Sequence, residues 1–103
     1  MPGTAVVTGA AGGLGRVLVE RLGRAGYDVV GVDLEGADRR LDVTDAAACR
    51  ELADQVRPAV WVNNAGVLGA GDAATQPDDV VDRVIDVNLR GVIHGTRAAV
   101  ASM

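Results

Sequence analysis

The sequence predicts an α/β fold: the N-terminal part of a doubly wound parallel sheet, with strand order 3-2-1-4. Three observations carry this. Short β-branched runs alternate with stretches of helical periodicity. A glycine-rich stretch, residues 9–15, separates the first such run from the first helical pattern. Right-handed crossovers between parallel strands then wind the chain in that order.

Each element has a local reason. Thr4 to Thr8 (Thr-Ala-Val-Val-Thr) reads as a buried strand, because β-branched residues dominate and glycine follows. Leu14 to Ala25 reads as a helix, since Leu14, Val17, Leu18 and Leu22 recur at helical spacing and Gly26 ends the run. Asp28 to Asp33 is a second strand, and Arg40 to Asp42 a short third. The step from Asp33 to Asp42 is too short for a full helix, so the connection there is reduced to a turn. Thr44 is an N-cap candidate for a helix running to about Val56, with Pro58 stopping it. Ala59 to Asn63 is a fourth strand, in which Trp61 alternates with Val60 and Val62 and is expected to pack on a helix. Asn64 to Gln76 is loop. Pro77 opens the last helix, with Asp78 and Asp79 favoured in its first turn by the helix dipole. That helix runs to near Met103, and Gly91 and Gly95 mark a close packing contact on it.

Composition bounds the rest. The 103 residues suit one domain, residues 1–103, and leave no room for two. Aromatic residues are only Tyr27 and Trp61, so the core is built from Val, Leu, Ile and Ala. The net charge of −4 argues against a basic nucleic-acid-binding face. No apolar run approaches a membrane span, and the N-terminus lacks the basic and apolar regions of a signal peptide. One cysteine, Cys49, forms no internal disulfide, which fits the cytoplasm. One His and one Cys make no metal site of the usual kind.

In a sheet wound this way, the ligand crevice lies beyond the carboxyl ends of strands 1 and 4. After strand 1 come Gly9, Gly12, Gly13, Leu14 and Gly15. A glycine turn between strand and helix lets backbone N–H groups approach a diphosphate, and the helix N-terminus adds partial positive charge. Asp33 ends strand 2, where a carboxylate can accept ribose hydroxyls and repel a 2′-phosphate. Asp42 and Val43 offer a carboxylate and an N–H to an adenine edge; Asp42 fits a helix entry with Thr44 and Asp45 equally well. Asn63-Asn64-Ala65-Gly66 ends strand 4 with small residues, a pattern that also marks an ordinary turn. Asn88 lies on an apolar stripe with Val81, Val84, Val92 and Thr96, where a polar side chain needs a partner. By its residues alone, Asn88 reads as a core asparagine satisfied by local backbone. His94 and Cys49 read as a surface or interface histidine and a small helix residue.

Together these motifs resemble the N-terminal part of the classical short-chain dehydrogenase/reductase family. The likeness rests on Thr8-Gly9-x-x-x-Gly13-x-Gly15, Asp33, Asp42-Val43, Asn63-Asn64-Ala65-Gly66 and Asn88 within Val87-Asn88-Leu89-Arg90-Gly91, in the family's order. Glycine at both 12 and 13 also fits the turn of extended epimerase-like relatives; the Asn63-Asn64-Ala65-Gly66 tetrapeptide favours the classical group. The resemblance implies a Rossmann-type fold and NAD, with NADP less favoured. Gly9 to Gly15 would hold the diphosphate, Asp33 the adenine ribose, and Asp42 and Val43 the adenine. Asn64, Ala65 and Gly66 would line the nucleoside. Asn88 would be the catalytic-site asparagine, which in the family positions a proton-relay water at a helix distortion. It implies an alcohol or ketone substrate, and a homo-oligomer formed through the last helix.

The chain departs from the family in one respect that governs activity. The family's chemistry uses a Ser and a Tyr-x-x-x-Lys pair beyond this region. The chain has no lysine, its only tyrosine is Tyr27, and its only serine is Ser102. Two expectations follow: a cofactor-binding half of an NAD-dependent oxidoreductase, inactive alone, or a catalytically silent NAD-binding or sensing module. An isolated chain of this kind is expected to be marginally stable, or to associate through strand 4 and the last helix.

Overall fold

The computed structural model describes residues 2–103. In chain order it comprises β1 (Thr4–Thr8), α1 (Gly13–Arg24), β2 (Asp28–Asp33), β3 (Arg39–Arg40), α2 (Ala46–Val56) and β4 (Val60–Val62). These are followed by α3 (Asp78–Ile85), a π-helical turn (Asp86–Arg90) and α4 (Gly91–Ser102). The strands pair in parallel in the order β3-β2-β1-β4, as the crossover argument requires.

Register decides which side chains meet which helices. Val6 lies opposite Val30 on one side and Trp61 on the other. With a period of two, Val32 shares that face. It meets α2 and α4, where Val6, Val32, Leu41, Cys49, Leu52, Ala53 and Ala98 form the core. The opposite face takes α1. There Gly31 packs so closely that a Cβ would stand 2.9 Å from the Cβ of Ala10, with Val19 of α1 beside it. Trp61 packs against α4, where its indole nitrogen would meet any side chain at Gly95.

The structure corrects several local expectations. β3 ends at Arg40 rather than Asp42, because Asp42 turns the chain into the next helix: its Oδ1 accepts the Thr44 N–H at 3.0 Å and the Thr44 hydroxyl at 2.7 Å. Thr44 is therefore not the N-cap. Asp45 is, its carboxylate accepting the Ala48 N–H at 3.0 Å. Arg57 closes α2 in the left-handed region (φ 49°), and Pro58 follows. Residues 34–38 form bends without a helix. β4 is shorter than expected, and Pro77 caps α3 instead of opening it. The last helix is not continuous. A π-helical turn interrupts it, in which the Gly91 N–H donates to the Asp86 carbonyl five residues back.

Candidate functional site

A cleft of about 270 Å³ opens at the carboxyl ends of β1 and β4. It is lined by Gly9, Gly12, Gly13, Leu14, Gly15, Asp33, Asp42, Val43, Asn64, Ala65 and Gly66, so every residue expected to face a nucleotide is gathered there. Leu34, Leu41, Val67, Arg83 and Val87 complete the wall.

The floor of the cleft is backbone held to backbone. Thr8, at the end of β1, is buried. Its hydroxyl oxygen accepts the N–H groups of Asn64 (3.0 Å) and Ala65 (2.9 Å), so one side chain ties the ends of β1 and β4 together. The Asn64 amide donates to the Gly9 carbonyl at 3.2 Å. Gly9 takes φ +65°, and a Cβ on it would lie 2.8 Å from the Cα of Ala65. Gly15 packs onto the Gly9 carbonyl with no space for a side chain.

The glycine turn itself stays open. A Cβ at Gly13 would meet nothing within 4 Å. Among the described residues no side chain caps the start of α1, no acidic residue lies in its first turn, and no hydrogen bond occupies the N–H groups of Gly13, Leu14 or Gly15. Uncapped N–H groups at a helix N-terminus suit an anion. By this measure the residues present fit the diphosphate of a dinucleotide. The cleft needs no lysine for that purpose.

Asp33 braces the turn as well as facing the cleft. Its Oδ2 accepts the Ala11 N–H at 3.1 Å and its Oδ1 the Leu34 N–H at 2.7 Å. Each oxygen keeps acceptor capacity for a further donor. Asp42 is exposed, and its carboxyl lies below the ordinary carboxylate range. The Thr44 hydroxyl and N–H are the main causes, with smaller help from the charges of Arg83 and Arg40 against a desolvation cost.

Asn88 lies on the π-helical turn, outside the cleft lining but beside it. Its Oδ1 accepts the Val67 N–H and its Nδ2 donates to the Val67 carbonyl, both at 2.8 Å. The partner is backbone, but it is not local, and Asn88 is exposed and not a core residue, because the chain that covers it is only the loop after β4. Asn88 clips the loop after β4 onto the helix, and its Oδ1 lies close to Gly66.

Three contributors were not legible as site residues. Thr8 reads as the last residue of a strand and the first of the Thr8-Gly9-x-x-x-Gly13-x-Gly15 motif, with no sign of the bonds its hydroxyl makes. Arg83 lies one turn before Val87 and reaches the cleft wall from α3; the helical spacing to Val87 was the available signal. His94 is half-buried, not on the open surface, because α4 crosses the segment after β3 and its Nδ1 lies 3.0 Å from the Val43 carbonyl oxygen. A carbonyl only accepts, so the imidazole carries its proton on Nδ1 in this contact. Cys49 is fully buried behind the cleft, its Sγ 3.9 Å from the Val43 carbonyl oxygen. Burial, with the nearby Asp45 and Asp42 charges, pushes its thiol up to about 11.

Comparison with known proteins agrees with this geometry. The chain is 39% identical to the 1-deoxy-11-beta-hydroxypentalenate dehydrogenase of Streptomyces avermitilis, over 96% of this chain and 46% of that protein. It is 35% identical to the probable oxidoreductase EphD of Mycobacterium tuberculosis, over 89% of this chain and 19% of that protein. Among solved structures, the ligand-free aldohexose dehydrogenase of Thermoplasma acidophilum superposes with a TM-score of 0.91 at 28% identity, covering 98% of this chain and 44% of that one. The chain thus spans less than half the length of these relatives. The family model described as short chain dehydrogenase matches residues 3–103. With the parallel order β3-β2-β1-β4 and a glycine turn at its centre, the chain belongs to the short-chain dehydrogenase family.

Proposed function

We propose that this chain is the dinucleotide-binding part of an NAD-dependent oxidoreductase that moves a hydride between a secondary alcohol and a ketone. The observation that carries the reading is the cleft, in which the uncapped start of α1, Asp33 and the Asn64–Gly66 segment face one space. The open N–H groups of Gly13, Leu14 and Gly15 receive the diphosphate. Asp33 accepts the ribose hydroxyls and disfavours a 2′-phosphate at the same place. Asp42 and the Val43 N–H meet the adenine edge, and Asn64, Ala65 and Gly66 line the nucleoside. The bound nicotinamide supplies the hydride acceptor or donor. Asn88, pinned to Val67, holds the loop after β4 at the reacting end and serves as the catalytic-site asparagine.

Proton transfer at the substrate oxygen needs a general acid or base, worth about 10²–10⁴ in rate. Tyr27 precedes β2, at the end of the sheet opposite the cleft, and the chain has no lysine. These residues therefore bind the cofactor without turning over substrate by themselves. This same observation favours the second reading, a silent NAD-binding module. Apolar Leu89, Val92, Ile93 and Val100 are exposed along the last helical segment, which supports association of copies through it.

Calorimetric titration of the chain with NAD and NADP tests the cofactor assignment. NAD should bind more tightly, and Asp33→Ala should narrow the preference; tighter NADP binding overturns it. A panel of secondary alcohols, followed by reduced nicotinamide, tests the rest. Sustained turnover that Asn88→Ala abolishes would show that these residues already carry the acid–base group.

A further inference from the structure

The α3–π–α4 segment lies along the Asp42–Val43 corner, and four residues about a turn apart touch it or point at it. Val87 is buried in the cleft wall. Gly91 is pressed on Val43, where a Cβ would stand 2.7 Å from a Val43 methyl. His94 holds the Val43 carbonyl. Arg83, one turn before Val87, completes this line at the mouth of the cleft.

The charges there are unbalanced. The side chains lining the cleft include two carboxylates, Asp33 and Asp42, and one cation, Arg83. Both Asp33 oxygens accept backbone N–H groups. In Asp42, the Thr44 bonds go to Oδ1. Among the described residues Arg83 forms no ion pair. Both groups are exposed while the cleft is open to water, so their attraction is weak in that state. A base laid against Asp42 strips water from the carboxylate, and a charge losing its water needs an opposite charge near it.

We infer that Arg83 is a specificity-determining residue for the nucleotide base, the cation that lets adenine cover the Asp42 carboxylate. This deepens the dinucleotide reading and rests on it. The exocyclic amino group of adenine donates to Asp42, while Arg83, lining the same cleft, compensates the carboxylate. The Arg83–Asp42 coupling therefore grows when the base arrives.

Isothermal titration with adenosine diphosphate as probe, on the full chain and a double-mutant cycle, tests this. Arg83→Gln should weaken binding about five- to tenfold, and Arg83→Lys should recover most of it. In an Asp42→Asn background, the same Arg83→Gln change should cost less than about twofold, because no carboxylate remains to compensate. Arg83→Gln should not move the thermal midpoint measured without ligand, which separates this role from a structural one. An Arg83→Gln effect equal in both backgrounds, or none in either, overturns the pairing while the dinucleotide reading stands. Failure of the unmutated chain to bind adenosine diphosphate or NAD overturns both.

Discussion

The two ends of the cleft are built from different materials. Where β1 meets β4, backbone lies against backbone: Gly9 beside Ala65, Gly15 on the Gly9 carbonyl, and the buried Thr8 hydroxyl bridging Asn64 and Ala65. Where β3 leads into α2, the cleft is made of exposed side chains, Asp42 and Arg83, with Val43 backed by Gly91 and His94. Backbone atoms cannot rotate out of the way, while a side chain can change rotamer. The first end should therefore fail in folding when disturbed, and the second in binding.

The sharpest way to break this comparison is one substitution made at both ends. Gly15→Ala puts a methyl group into the Gly9 carbonyl, which has nowhere to go. We expect it to cost about 3 kcal/mol in denaturant unfolding and to abolish dinucleotide binding. Gly91→Ala presses on the Val43 side chain, at 2.7 Å from Cγ2 and 3.2 Å from Cβ, which must shift, while alanine offsets part of that cost with a better helix propensity by about 1 kcal/mol. It should cost about 1–2 kcal/mol, less than Gly15→Ala, because a side chain can yield where a carbonyl cannot, while weakening nucleotide binding. Equal destabilisation at the two sites would remove the distinction.

A smaller effect probes the backbone end without a clash. Thr8→Val is close in shape but leaves the Asn64 and Ala65 N–H groups without their acceptor. The expected cost is about 2 kcal/mol, read from the shift in denaturant midpoint at unchanged slope. A neutral Thr8→Val would mean that these N–H groups find water, and that the floor of the cleft is looser than its packing indicates.

The smallest effect belongs to the side-chain end. The Thr44 hydrogen bonds hold the Asp42 carboxyl below its usual value in the folded chain. A carboxylate whose folded value is depressed adds stability above its unfolded value, about 3.9, and loses it as pH falls through the folded value. Asp42→Asn should therefore lower stability slightly at pH 7 and flatten acid unfolding, its difference from the unmutated chain fading as pH falls below about 4. A stability difference that persists undiminished well below pH 4 would point to a cause other than this carboxylate's ionisation.

Much of the fold was written in local patterns. The β-branched run of residues 4–8, the glycines that follow it and the periodic Leu14, Val17, Leu18 and Leu22 each specify their own conformation within a few residues. The same holds for the short step between Asp33 and Asp42, which left no space for a helix. Less legible were choices between equivalent local partners. Thr44 and Asp45 are both good caps, and Asp45 took the role because the Thr44 hydroxyl was already bonded to Asp42. The π-helical turn was also invisible to residue periodicity, because a single extra residue in one turn shifts the apolar pattern too little to read.

What the sequence determined by itself was the order β-α-β-β-α-β-α, the glycine turn between its first strand and helix, and the carboxylate at the end of its second strand. Period, turn chemistry and chirality act over short stretches of chain, so they can be read without coordinates. Only the tertiary structure decided that Thr8 would bind residues more than fifty positions away, that Asn88 would clip Val67, that His94 would hold Val43, and that Arg83 would line the same cleft as Asp42. Those contacts depend on where the α3–π–α4 segment crosses the sheet. That placement follows from the collective burial of apolar side chains, which no short stretch of residues specifies alone.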